Sequence, residues 1–197
     1  MKIRNKINYN APVVLSFALV SFIVLLLGYL TGGYTTQKFF CVYRSSFLDL
    51  TSYIRMFGHV LGHANLEHYV NNMMLILLVG PMLEEKYGSK NLLGMIIATA
   101  FITGLINTIL FPTGLLGASG IAFMMIVLSS VTSVKNGKIP LTLIIVVILY
   151  LGQQVIDGIL TTDNISQMTH IVGGICGGVF GIAFSKKKVD PCVNECG

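Results

Sequence analysis

Charge is what this chain has least of. Only 11% of its 197 residues are Asp, Glu, Lys or Arg, against about 25% in ordinary soluble domains, and its mean hydropathy is +0.78. A water-soluble globule is thereby excluded. Tryptophan is absent, so tyrosine and phenylalanine must supply any aromatic belt at a membrane interface. The 5 prolines, and 21 glycines without a period of three, exclude collagen and a low-complexity disordered chain. No internal repeat is found, and no linker long enough to separate domains. What remains is a polytopic membrane protein.

Runs without Asp, Glu, Lys or Arg measure the spans. A helix crosses ~30 Å of hydrocarbon with about 20 apolar residues, and such runs extend from Ile7 to Gln37, Asn91 to Val134, Ile139 to Ile156 and Asn164 to Ser185. Phe111-Pro112-Thr113-Gly114 breaks the longest into two. Leu66 to Leu83 adds another, with Glu67 and His68 at its start. The expectation is an all-α bundle of six transmembrane helices, at roughly 12–30, 64–83, 91–110, 119–134, 139–157 and 167–185. The first follows Lys2, Arg4 and Lys6 as a secretory signal would, but it ends at Leu30-Thr31-Gly32-Gly33 without an Ala-x-Ala site, so a retained helix is expected. The domain plan is a cytoplasmic N-terminus over 1–11, one transmembrane domain over 12–185 and a cytoplasmic tail over 186–197.

Orientation follows from the basic residues. Ten of them (Lys2, Arg4, Lys6, Lys86, Lys90, Lys135, Lys138 and Lys186 to Lys188) fall on one side, and only Lys38, Arg44 and Arg55 on the other. Both termini are then expected in the cytoplasm, and the net charge of +5 is a topology signal and not a nucleic-acid-binding face. On this plan Cys41 lies outside, Cys176 within the last span, and Cys192 and Cys196 in the tail, so no disulfide framework is implied; the two tail thiols lack the second pair a zinc site needs. The first outer loop, about 31–57, is unusually apolar and is expected in the membrane interface.

Polar side chains within hydrocarbon are functional candidates by default. Arg55-Met-Phe-Gly-His59-Val-Leu-Gly-His63 leads into Glu67-His68-Tyr-Val-Asn71-Asn72. His68 and Asn72 are one helical turn apart and share a face that must look into the bundle. His59, His63 and His68 could supply three metal ligands, although no Asp or Cys is suitably placed; alternatively His59 and His63 fix the loop-helix junction by hydrogen bonding. Gly114-Leu-Leu-Gly117-Ala118-Ser119-Gly120 opens the fourth span. There Ser119 is either a helix N-cap in a close-packing motif or a nucleophile whose neighbouring N–H groups and helix dipole receive an oxyanion. In Thr169-His170-Ile-Val-Gly173 the glycines at 173, 177 and 181 form a groove that a neighbouring helix can approach closely. His170 lies one turn before that groove; it is a satisfied core histidine, a haem ligand, or the base for Ser119.

Taken in order, His63 to Asn72 with Glu84, then Gly117-Ala118-Ser119-Gly120, then His170-Ile-Val-Gly173 with Gly177 resemble the successive signatures of the rhomboid intramembrane serine proteases over about residues 55 to 181. The resemblance implies a six-span rhomboid-like bundle in which Ser119 is the nucleophile and His170 the general base. His68 and Asn72 would join the Ser119 N–H in binding the oxyanion, with Gly117 and Ala118 supporting the site. Gly117 and Gly120 would flank the nucleophile, Gly173 and Gly177 would pack the last span on the fourth, and Arg55 and Glu84 would be structural. Family members commonly carry Trp-Arg where this chain has Ile54-Arg55, often Tyr where it has Phe123, and Ala where it has Thr169.

The function so implied is hydrolysis of peptide bonds in or near transmembrane segments of other membrane proteins. It needs no metal and no cofactor; its partners are transmembrane substrates and the lipid bilayer, with no nucleic acid. The implied location is a bacterial plasma membrane, with the site open to the outer face and span five or the segment 157–163 as moving parts. The rivals are a rhomboid-like protein that binds transmembrane clients without cutting them, against which stand Ser119 and His170, and a small transporter, against which stands the lack of an inverted repeat.

Overall fold

A computed structural model describes residues 9–133 and 164–185, with the single positions Leu141, Ile144, Ile145 and Ile148 between them. Apart from those four positions, the expected span at 139–157 lies outside the described residues, as do the segment 157–163, the basic N-terminus and the tail with Cys192 and Cys196. Among those that are described, seven α-helices form: α1 Pro12–Leu30, α2 Tyr34–Phe39, α3 Leu50–Gly58, α4 Leu66–Tyr87, α5 Ser89–Leu110, α6 Ser119–Ser133 and α7 Asn164–Ser185. A 3₁₀ turn, His59–Leu61, follows α3. Extended pairing among the described residues is confined to one antiparallel bridge, Val42 with Leu115. The protein is an all-α membrane bundle.

Local chemistry sets the helix limits. Pro12 opens α1, where its missing N–H costs nothing, and Gly32 and Gly33, at φ +60° and +88°, end it. α1 and α5 are long and apolar enough to cross a membrane, with mean hydropathies of 2.7 and 2.0. Asn65 caps α4, its Oδ1 accepting the His68 N–H at 2.8 Å. α4 runs four residues past the expected end at 83, because Glu84 does not face lipid. Its carboxylate turns inward and accepts the N–H groups of Val13 at 2.9 Å and Val14 at 3.0 Å, and the Ser89 hydroxyl at 2.7 Å. No side chain of α1 caps that end; the charge comes instead from α4, where the helix dipole favours it.

α6 is the hub. Ile121, Ala122, Met124, Met125 and Leu128 are almost fully buried, and they join Met73 and Ile76 of α4 and Val172 and Cys176 of α7 in one core. A helix apolar on every side belongs in the middle of a bundle.

α3 is turned inside out relative to a soluble helix. It buries Ser52, Arg55 and Met56 and exposes Leu50, Tyr53, Ile54 and Phe57, the outward apolar face of a helix suited to a lipid interface. Its buried Arg55 is held without a preceding tryptophan. Tyr43 takes the guanidinium over its ring at 4.4 Å and accepts Nη1–H through its hydroxyl at 3.0 Å, while Asp49 pairs with Nη2 at 3.0 Å. Ser45 and Ser52 each accept from the same Nη2 at 3.2 Å. The Thr51 hydroxyl and N–H, then Arg55, hold the Asp49 carboxyl below the usual carboxylate range. The clasp is therefore intact at neutral pH, and its contribution is lost only as pH falls through that depressed value.

The Glu84 contact gives a direct test. Glu84→Ala strands two N–H groups at the start of α1 and should cost about 1–3 kcal/mol of stability. Glu85→Ala, at an exposed position, should change little; unfolding midpoints in mild detergent compare the two.

Candidate active site

Ser119 is the first residue of α6 and is half-buried. The carbonyl of Ala118, a fully buried residue, accepts the Ala122 N–H at 2.9 Å and so starts the helix. The next N–H groups, from Ser119 onward, have no carbonyl behind them within α6 and project from its positive end.

His170 is reached through backbone contact between α6 and α7. A Cβ on Gly173 would overlap the Gly120 carbonyl, and one on Gly177 would overlap the Met124 carbonyl. A Cβ on Gly181 would stand 2.7 Å from the Val131 side chain. From the other side, a Cβ on Gly120 would lie 2.8 Å from Thr169 Cγ2. The turn carrying Thr169 and His170 is thus laid directly on the turn carrying Ser119 and Gly120. His170 is buried, and its ring stacks on Phe123 with centroids 5.1 Å apart and planes inclined by 22°. Phe123 lies one turn after Ser119 and packs its ring against the plane of the imidazole.

The third component comes from the first turns of α4. Gly117 adopts φ +125°, and a Cβ there would lie 2.7 Å from Nε2 of His68 and 3.9 Å from Nδ2 of Asn72. Glycine is required twice over, by the dihedral and by the room the imidazole takes. Asn72 is buried and donates one amide hydrogen to the His68 carbonyl at 3.0 Å, which fixes the side chain and leaves it a second N–H.

The loop before Ser119 is held by the first loop, by the turn after α3 and by α5. Val42 and Leu115 exchange backbone hydrogen bonds of 2.9 and 2.8 Å, and the Gly117 N–H donates to the His59 carbonyl at 2.9 Å. Asn107 Nδ2 donates to the carbonyls of Val42 and Thr113, each at 3.1 Å. His59 is itself tied to α5 through Thr103 at 3.2 Å and to Met56 at 3.1 Å. Because the Met56 carbonyl can only accept, Nδ1 carries the proton of the neutral ring, while the Thr103 hydroxyl beside Nε2 donates to the Thr99 carbonyl at 2.8 Å.

Ser119, Gly120, Phe123, His170, Gly173 and Gly177 therefore come together along the α6–α7 seam, and His68, Asn72, Gly117 and Ala118 close one end of it. Arg55 and Glu84 are not brought in. Arg55 belongs to the α3 clasp, and Glu84 lies 16 residues along α4 from His68, about 24 Å away. Tyr43, Val42, Asn107 and the backbone of His59 were not expected. Their roles depend on contacts between distant segments, and only the aromatic richness of the first loop hinted at Tyr43. Among the described residues no group of three or more metal-ligating side chains converges, so His59, His63 and His68 do not form the three-ligand set their spacing allowed.

The seam makes a paired prediction. Gly173→Ala should wedge α7 off α6 and displace His170, lowering both stability and any activity at Ser119. Gly178→Ala, where an added Cβ meets nothing within 4 Å, should leave both within twofold; thermal unfolding and labelling by a serine-directed probe separate them.

No curated protein matches the chain in sequence. A family model, Rhomboid domain, matches residues 50–187, well over half of the chain and the whole of the seam just described. The chain belongs to the rhomboid family.

Proposed function

We propose that the protein is an intramembrane serine endopeptidase working through a Ser119–His170 dyad. The observation that carries this reading is the contact of α7 with α6 at Gly173 and Gly120, where no side chain separates the two backbones. It lays the turn bearing a buried histidine on the turn bearing a serine at a helix N-terminus. Membership of the rhomboid family, whose members are typically intramembrane proteases, supports the same chemistry.

In this mechanism neutral His170 takes the Ser119 proton as the oxygen attacks a peptide carbonyl. The resulting oxyanion accepts from the Ser119 N–H, from the second amide hydrogen of Asn72 and from His68, whose Nε2 lies against Gly117. His170 then returns its proton to the leaving amine, and a water molecule repeats the sequence on the acyl-enzyme. Substrates are transmembrane proteins whose helices unwind near the cut, because a helical peptide bond is shielded by its own hydrogen bonds. The active site opens to the outer face of a bacterial plasma membrane, with both termini in the cytoplasm, as the distribution of Lys and Arg favours.

Cleavage of tagged single-span substrates by the purified protein tests this reading. Wild type should cut, Ser119→Ala and His170→Ala should be inactive, and Asn72→Ala should lose about 10²-fold or more in turnover. A folded wild type that cuts none of several substrates would overturn the protease reading in favour of client binding without cleavage.

A further inference from the structure

α7 touches α6 through its glycines, but a second face of α7 stands away from α5. Between the two runs a groove of about 280 Å³ that the proposed mechanism does not use, lined by Ile102 and Ile106 of α5 and by α7 residues from Val172 to Phe180. The α7 wall takes positions 172, 175, 176, 179 and 180, at steps of three and four, so it is one helix face. No glycine lies on it. Where Gly173 and Gly177 let α6 approach backbone to backbone, the branched side chains of Val172, Ile175 and Val179 keep α5 at side-chain distance.

The chemistry and shape of the groove select its occupant. Among the described residues that line it, none has a side-chain nitrogen or oxygen, so water would find no side-chain partner there. Val172 to Phe180 covers about 12 Å of helix, which gives the groove a mean cross-section of about 23 Å². A helix with its side chains is about 10 Å or more across and does not enter; a single hydrocarbon chain does. Val172 and Cys176 form a buried base, whereas Ile175 and Val179 at the lip are 61% and 57% exposed. α5 is long and apolar enough to cross a membrane, and α7 is apolar from Met168 to Phe184, so the medium outside the lip is lipid hydrocarbon. Ile106 is one turn from the end of α5 and Val172 two turns from the start of α7. The groove therefore begins near the end of the bundle that carries Ser119.

We propose that the groove between α5 and α7 is a binding site for one acyl chain of a bilayer phospholipid, entering from the end that carries Ser119. Val172 and Cys176 share a core with Ile121 and Met124 of α6, and Val172 lies two residues after His170. A bound chain thus backs α7 where it presses on α6; that consequence rests on the protease reading, whereas the binding site does not.

The test is photo-crosslinking of the full-length protein in phosphatidylcholine nanodiscs doped with a phosphatidylcholine that carries a diazirine midway along one chain. Mass spectrometry should place adducts at Ile175 and Val179 in several-fold excess over Leu19 of α1 and Leu78 of α4, which are 60% and 77% exposed. Adducts should also form at Ile102 and Ile106 despite their lower exposure. Val179→Phe, which fills the groove from its lip, should remove the Ile102 and Ile106 adducts and spare those at Leu19. Adducts that follow exposure alone, a pattern unchanged in folded Val179→Phe, or a groove labelled by a diazirine fatty acid and not by the phospholipid would each overturn the proposal. So would a groove closed to lipid by a second copy, seen as crosslinked dimers joined through Ile175 and Val179. The wild-type map decides the question if Val179→Phe fails to fold. Enrichment in the groove of a protein whose Ser119 takes no fluorophosphonate supports the site and removes its link to catalysis.

Discussion

The structure depends on two helices being allowed to touch backbone to backbone. In a membrane there is little hydrophobic gain from pressing one apolar helix on another, so close packing and hydrogen bonding must hold the bundle together. The contact of Gly173 with the Gly120 carbonyl, continued at Gly177 and Met124, supplies that closeness. It also sets the geometry of the candidate site, because the residues next to the contact are Ser119 on one helix and His170 one turn away on the other. Stability and site geometry thus rest on the same missing Cβ atoms.

A second constraint acts on the irregular backbone between α5 and α6. Non-helical chain at membrane depth is tolerated only if its N–H and C=O groups find partners inside the protein. Here Val42, Asn107 and the His59 carbonyl provide them, and in doing so they fix the path into Ser119. The first loop is held in turn by the Arg55 clasp with Tyr43 and Asp49. Its apolar exterior and polar interior follow from one requirement: a loop lying against lipid must turn its hydrogen-bonding groups inward.

Much of this was legible in the sequence, for identifiable reasons. Uncharged runs locate spanning helices because lipid penalises charge so heavily, and the expected span at 12–30 coincides with Pro12–Leu30. The span expected from 167 begins instead at Asn164, since polar residues at the end of a span do not stop a helix. Charge failed as a boundary at Glu84, whose partners on α1 are seventy residues away. The glycine period along α7 indicated a groove, and the added-Cβ contacts show what fills it. What could not be read was the clamp on the loop before Ser119. The Val42–Leu115 bridge uses backbone groups that every residue carries, and nothing in either residue's identity selects its partner. Tyr43 was visible only as one aromatic among several, because its pairing with Arg55 depends on how the loop folds back.

The central claim is that helix packing turns Ser119 into a nucleophile with His170 as its base. The measurement that meets it most directly is mass-spectrometric mapping of the adduct formed when the folded protein is treated with a fluorophosphonate. The account predicts a single adduct at Ser119 that disappears in His170→Ala. Labelling spread over other serines, or an adduct at Ser119 that persists in folded His170→Ala, would contradict it.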